Sequence, residues 1–138
     1  MEQDLHGLRA EGCDARIASG GGRMVTTMDR YDADWAVVER GWNAHVHGQA
    51  DHVFASAGEA VEVLGKDFSD QNMPPFVIAA DNEPVGTVNE NDAAVFWNFR
   101  GDRSIEISRA FEESEFKEFD RGQYDPASVA YAGMYVYH

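Results

Sequence analysis

Trp35, Val38, Trp42 and Val46 recur at intervals of 3, 4 and 4, the spacing that gathers side chains into one stripe along an α-helix. Asp32 or Asp34 precedes the stripe as a candidate N-cap, so a helix is predicted from Asp34 onward. A second helix is predicted over residues 56–66, with Ala60, Val63 and Leu64 inward. A third runs from residue 104 to about 113, with Ile105, Ser108 and Phe111 facing in. Residues 2–11 read as a short helix carrying Leu5 and Leu8 at i and i+3, and Gly12 sits where a helix C-terminus favours glycine.

Elsewhere the apolar residues form short runs. Residues 76–79 (Phe-Val-Ile-Ala) read as a strand, Asp81-Asn82-Glu83-Pro84 as its turn, and 85–88 as a returning edge. The strongest strand signal is 93–99 (Ala-Ala-Val-Phe-Trp-Asn-Phe), apolar on both faces as a covered central strand should be. Residues 15–19 and 129–137 complete the strands, and 67–75 reads as a loop closed by Pro74-Pro75. Strands alternating with helices predict an α/β fold: a layered mixed β-sheet with helices on both faces.

Length and charge narrow the classes. The 138 residues predict one domain. The 25 acidic residues against 11 basic ones give a net charge of −14, which argues against nucleic acid and anionic membranes, since both attract a positive surface. No run approaches the roughly 20 apolar residues of a membrane helix, and residues 1–12 lack the apolar core of a signal peptide. The single cysteine, Cys13, cannot form an intrachain disulfide, so a cytoplasmic location and a buried or inert thiol are expected. Residues 129–137 stay apolar up to His138, a strand stopping in mid-pattern, which suggests that something normally follows.

Nine of the 11 basic residues are arginine, the side chain suited to bidentate grips on carboxylate or phosphate. Two turns concentrate them. Arg100-Gly101-Asp102-Arg103 lies where a predicted strand hands over to a helix, the usual ligand edge of open α/β sheets and a place where a helix N-terminus favours anions. The alternative is a pair of solvated arginines, or one paired with Asp102. Ser19-Gly20-Gly21-Gly22-Arg23 leads to Asp29-Arg30, and its three glycines would free the backbone for close approach to a ligand. It is not a P-loop, because no Lys-Ser/Thr pair follows; an ordinary glycine turn is the alternative. His45 and His47, two apart on a helix, face different sides and cannot chelate one ion. Trp35, Trp42 and Trp97 read as core.

Four segments in order carry a resemblance: Ile17-Ala18-Ser19-Gly20-Gly21-Gly22-Arg23-Met24; Thr27-Met28-Asp29-Arg30-Tyr31 with Ala33-Asp34-Trp35; Asn98-Phe99-Arg100-Gly101-Asp102-Arg103; and Tyr131-Ala132-Gly133-Met134. Together they resemble the 2,3-bisphosphoglycerate-independent phosphoglycerate mutases over nearly the whole chain. The resemblance implies a glycolytic and gluconeogenic isomerase that interconverts 3-phosphoglycerate and 2-phosphoglycerate. It does so through a phosphoserine in a phosphatase-type domain carrying two Mn²⁺ or Mg²⁺ ions. A transferase domain holds the glycerate, and its substrate-gripping arginines match Arg23, Arg30, Arg100 and Arg103.

On that resemblance, residues 1–138 form a single partial domain, the latter part of the transferase domain of a larger two-domain enzyme. The serine nucleophile and the metal ligands have no counterpart here, so no metal is expected to bind this chain and it should be inactive alone. After Met134 the family continues through Tyr-Asp-Gly, whereas this chain ends at His138, which suggests a stretch cut from a longer reading frame. Two other readings stay open: a stand-alone phospho-anion binding module, and a folding or interaction piece. Exposed strand edges are expected to give a homo-oligomer.

Overall fold

The computed structural model describes residues 1–137; His138 and whatever was expected of it lie outside the described residues. The helices are α1 (Glu2–Ala10), α2 (Trp35–His45), α3 (Ala57–Leu64) and α4 (Ile105–Glu112). The strands are β1 (Ser19–Gly20), β2 (His52–Phe54), β3 (Phe76–Ala80), β4 (Glu83–Pro84), β5 (Ala93–Phe96) and β6 (Ala130–Gly133). Single 3₁₀ turns occupy Gly101–Arg103 and Pro126–Ser128.

Strand β3 organises a mixed four-stranded sheet, parallel to β2 and antiparallel to β1 and β4. The β2–α3–β3 crossover supplies the connection that parallel neighbours need. The β3–β4 hairpin turns on Asp81 and Asn82 at φ +53° and +65°, left-handed values that short polar side chains tolerate. Phe76 and Ile78 pack with Ala57, Ala60, Leu64 and Met73 on the α3 side. Val77, buried on the opposite face, turns toward α2, which contacts β1 and β3. Helices therefore cover both faces of this sheet.

A second core joins α2 to α4. Val38, Trp42 and Val46 meet Ile107, Ala110 and Phe111, and the fully buried Trp42 lies 4.7 Å from the Tyr124 ring and 4.9 Å from Phe111. Asp34 caps α2 by accepting from the Ala36 amide at 3.0 Å. Ser56 caps α3 through the Glu59 amide at 3.1 Å. The α3 N-terminus gains a further acceptor from far away, the Glu2 carboxylate on the Ala57 and Gly58 amides.

Several expectations are corrected. The segment 93–99 is not a covered central strand and does not join the main sheet: β5 pairs in parallel with β6 alone, in a two-stranded sheet. Ala94 and Phe96 reach the α2–α4 core, while Val95, Trp97 and Phe99 are 63%, 81% and 78% exposed. An apolar residue at every position reads as two buried faces, yet among the described residues only one face has neighbours. Trp97 is therefore not core. The strand 15–19 shrinks to β1, 129–137 to β6, and 85–88 forms none. Strand β2, too short for a visible pattern, was not anticipated. Val63 and Leu8 face water, and α1 buries nothing. The Cys13 thiol is exposed rather than buried. Among the described residues no helix is long and apolar enough to cross a membrane.

Candidate functional site

The Arg100–Arg103 turn is tied down from beneath by small polar side chains. Fully buried Ser104 donates its hydroxyl to the Arg100 carbonyl at 2.6 Å and accepts from Asn98 Nδ2 at 3.1 Å. Asn98 Oδ1 accepts from the Arg100 amide at 3.2 Å, and Tyr137 donates its hydroxyl to the Asn98 carbonyl. Ser108, one turn along α4, bonds the Ser104 carbonyl at 2.8 Å and the Tyr131 hydroxyl of β6 at 2.7 Å. Burial pushes the Tyr131 hydroxyl up to about 12, so it stays protonated as a structural link.

The Arg30 segment approaches from the other side. Thr27, buried at φ +67°, donates its amide to the Val37 carbonyl at 2.8 Å. Its Oγ1 bonds His45 Nε2 at 2.9 Å, and His45 Nδ1 bonds Ser19 Oγ at 2.7 Å. Burial lowers the His45 pKa, so a neutral ring bridges the two hydroxyls. Met28, next along, accepts Arg103 Nη1 on its carbonyl at 2.5 Å.

Three of the four expected arginines thus come together. Asp102 accepts Arg100 Nε at 2.7 Å and Nη2 at 3.2 Å, and Arg30 Nη1 at 3.4 Å. The Arg100 guanidinium, with Arg30 behind it, lowers the Asp102 pKa, and Asp102 in turn raises that of Arg100. These are solvent-facing pairs, worth little to stability. Their consequence is geometric: fixed positive groups stand around one carboxylate, where a competing oxyanion could bind. Both alternatives raised from sequence, solvated arginines and a pair with Asp102, describe part of this arrangement.

Arg23 is engaged elsewhere. Its guanidinium holds Gln71 Oε1 at 2.9 and 3.2 Å. The glycines before it make close approach to the chain itself rather than leaving room for a ligand. A Cβ on Gly20 would strike the Phe76 ring, one on Gly21 the Thr26 side chain, and one on Gly22 the Asp70 and Gln71 carbonyls.

Sequence reasoning missed the groups flanking these arginines. Glu106 is 4% exposed, its Oε1 accepting the Asp32 amide at 3.0 Å and its Oε2 buried without a partner. Burial first, then the Asp29 and Asp32 carboxylates, push it up to about 7. Arg109 lies 4.9 Å over the Trp35 ring and is held by Asp32, Glu113 and Glu118, so it is committed to its own chain. Glu106 stands beside inward-facing positions of a predicted helix, but nothing in the spacing separates it from a solvated glutamate.

The resemblance implies two Mn²⁺ or Mg²⁺ ions. Among the described residues no three His, Cys, Asp or Glu side chains are grouped to hold a metal, so the residues present do not fit that centre and no step is routed through it.

The family described as "BPG-independent PGAM N-terminus" matches residues 2–138. The 2,3-bisphosphoglycerate-independent phosphoglycerate mutase of Trypanosoma brucei brucei is 55% identical over 141 residues, covering 99% of this chain and 25% of that protein. A probable enzyme of the same name from Leptospira interrogans is 52% identical over 140 residues, with the same coverage of both chains. A crystal structure of Leishmania mexicana phosphoglycerate mutase at low cobalt concentration superposes with a TM-score of 0.93 at 50% identity, over 99% of this chain and 25% of that one. The chain spans about a quarter of the length of the relatives it matches. With the match running through both arginine turns, the chain belongs to the BPG-independent phosphoglycerate mutase family, in the part its family description calls the N-terminus.

Proposed function

We propose that this chain is the glycerate-holding part of a phosphoglycerate mutase, in which Arg30, Arg100 and Arg103 clamp the phosphate and carboxylate of 3-phosphoglycerate and 2-phosphoglycerate. One observation carries the reading: the guanidiniums of Arg30 and Arg100, from segments far apart in sequence, meet at Asp102. Arg103 braces the Arg30 segment through the Met28 carbonyl, so the two arms are held in mutual register before any ligand arrives. Preorganised cations of this kind suit a ligand whose charge must be held while it reorients. Asp102 acts as a place-holder, keeping the side chains of Arg30 and Arg100 close until a stronger oxyanion takes its place. Arg23 belongs to the clamp only if ligand binding draws it from Gln71.

Phosphoryl transfer, with its Mn²⁺ or Mg²⁺, belongs on this reading to the remainder of the family's longer chain, and the chain alone is inactive as an isomerase. Titration calorimetry with 3-phosphoglycerate tests the clamp. Saturable binding is expected, weakened about 10- to 100-fold in Arg100→Ala, the loss typical of a charge-assisted hydrogen bond. Equal binding by the wild type and the variant refutes it. Turnover by the isolated chain with Mn²⁺ would refute the division of labour. The same binding without turnover also fits a stand-alone phospho-anion module, which the shared arginine turn allows. Restored turnover on adding the missing portion of a relative favours the enzyme reading over the module.

A further inference from the structure

Asp29, Tyr31 and Asp32 form the outer bend of the Arg30 segment, and the bend is strained. Tyr31 and Asp32 both lie at positive φ, +64° and +52°, a conformation that non-glycine residues keep only when their surroundings hold them there. Three contacts do so. Asp29 Oδ2 accepts the Asp34 amide at 2.6 Å, Arg109 Nη1 holds Asp32 Oδ1 at 3.1 Å, and Glu106 Oε1 accepts the Asp32 amide. Of these, only the Glu106 contact comes from a buried group with an oxygen left over. That oxygen, Oε2, is buried and has no donor, and the Asp29 carboxylate lies within hydrogen-bonding reach of the Glu106 side chain.

A buried carboxyl oxygen beside a neighbouring carboxylate is favoured only if one of the two carries a proton. We propose that Glu106 is a positioning residue for the phosphoglycerate clamp, whose proton, donated to Asp29, closes the bend that carries Arg30. With the proton in place, Glu106 receives the Asp32 amide on one oxygen and donates from the other. Without it, the carboxylates of Asp29, Asp32 and Glu106 repel one another, and the bend loosens.

The charged and titratable groups facing Glu106 fit this account. The bend contributes Asp29, Tyr31 and Asp32, the 3₁₀ turn contributes Asp102, and α4 itself contributes Arg109. Arg109 is already shared by three carboxylates, and Arg30, on the bend itself, is paired with Asp102. Tyr31, Asp32, Asp102, Glu106 and Arg109 line a cleft of about 210 Å³. The raised pKa of Glu106 places the proton's loss near neutrality. An anion bound by Arg30 disfavours a new negative charge nearby. Ligand binding and proton retention therefore assist each other, and by reciprocity affinity falls as the proton leaves.

This inference rests on the clamp reading, and its test separates the two. 3-Phosphoglycerate is titrated into the wild-type chain and into Glu106→Gln from pH 5.5 to 8.5. Glutamine accepts the Asp32 amide and donates to Asp29 at every pH, so it fixes the closed bend. The wild type is expected to lose about tenfold in affinity beyond the change seen in the variant, corresponding to a shift of about one pH unit in Glu106 on binding. Changes in the ligand's own phosphate ionisation are common to both proteins and cancel. Superimposable pH profiles overturn the proposal. The ligand-free Asp32 amide resonance provides a second reading: it should titrate near neutrality in the wild type and not in the variant. An Asp32 amide that behaves identically in both overturns the proposal even where binding is pH-dependent. Absence of binding at every pH defeats the clamp reading and with it the coupling, while the Asp32 amide still reports on the proton itself.

Discussion

Gly41 occupies the middle of α2, where replacing glycine by alanine ordinarily stabilises a helix by about 0.5–1 kcal/mol. The opposite sign is expected here. A Cβ on Gly41 would overlap Thr27 Oγ1 and stand 2.7 Å from the Thr27 Cα. Thr27 cannot simply rotate away: its amide bonds the Val37 carbonyl, its hydroxyl bonds His45, and its backbone sits at φ +67°. Relief therefore requires the backbone around residue 27 to move. Overpacking of that kind costs about 1–3 kcal/mol, and each hydrogen bond lost adds about 1 kcal/mol. Against the helix gain, the net for Gly41→Ala is a destabilisation of about 2–3 kcal/mol. Urea unfolding followed by tryptophan fluorescence measures it; with a slope of about 1–3 kcal/mol/M, the midpoint should drop by about 1–2 M. Because Met28 and Arg30 follow Thr27 directly, 3-phosphoglycerate affinity should fall as well. Gly7→Ala in α1, where an added Cβ meets nothing within 4 Å, is the control and should not lower the midpoint. A Gly41→Ala midpoint at or above wild type would refute the reasoning, since it would mean that the Thr27 contact yields without cost.

Glu106 makes stability fall with rising pH. Its folded pKa of about 7 exceeds its ordinary 4.5, so between those values the folded state binds more protons than the unfolded one. At about 1.36 kcal/mol per pH unit, wild type should lose up to about 3 kcal/mol from pH 4.5 to 7 relative to Glu106→Gln; parallel unfolding curves across that range would contradict this. Trp42→Ala removes a fully buried ring between Phe111 and Tyr124 and should cost about 3–5 kcal/mol, leaving little stability in calorimetry; a loss under about 1 kcal/mol would show that the α2–α4 core collapses around the gap. The exposed Val95, Trp97 and Phe99 face and the β5–β6 edges are expected to drive self-association, so sedimentation should show a homo-oligomer that Trp97→Ser with Phe99→Ser shifts toward monomer. A wild-type monomer at high concentration would count against it.

Helix α2 was legible because its stripe spans three turns and its cap is local; α4 was legible as a helix but not in its inward face, because Ser104 makes no side-chain cap bond and Ile107 rather than Ile105 is buried. Strand β5 was visible as a strand but not in its surroundings, since an apolar residue at every position does not state how many faces have partners. Strand β2 is three residues long and exists because β3 lies beside it, information that resides 24 residues away. The arginine turns were legible as motifs. What the sequence withheld was which arginines meet: Arg23 and Arg30 are neighbours along the chain, yet Gln71 takes one and Asp102 the other. Glu106 was invisible because its burial depends on a bend whose positive-φ residues, Tyr31 and Asp32, carry no glycine to announce it.

The parallel pairing of β5 with β6 also bears on the order of events in folding. Ala93 pairs with Ala130, so the ladder closes only after the intervening chain, including the Arg100–Arg103 turn and all of α4, has been gathered. Non-local parallel pairings of this kind carry a loop-closure entropy that local helices do not, and they form slowly. The β2–α3–β3 unit, with its own cluster of apolar side chains, faces a shorter closure. The Arg100–Arg103 turn is therefore expected to become ordered late and to open early, with amides of residues 94–96 exchanging with deuterium sooner than those of 76–78. On this account the turn proposed to hold the ligand is less protected than the β2–α3–β3 unit, and a bound anion would slow exchange there.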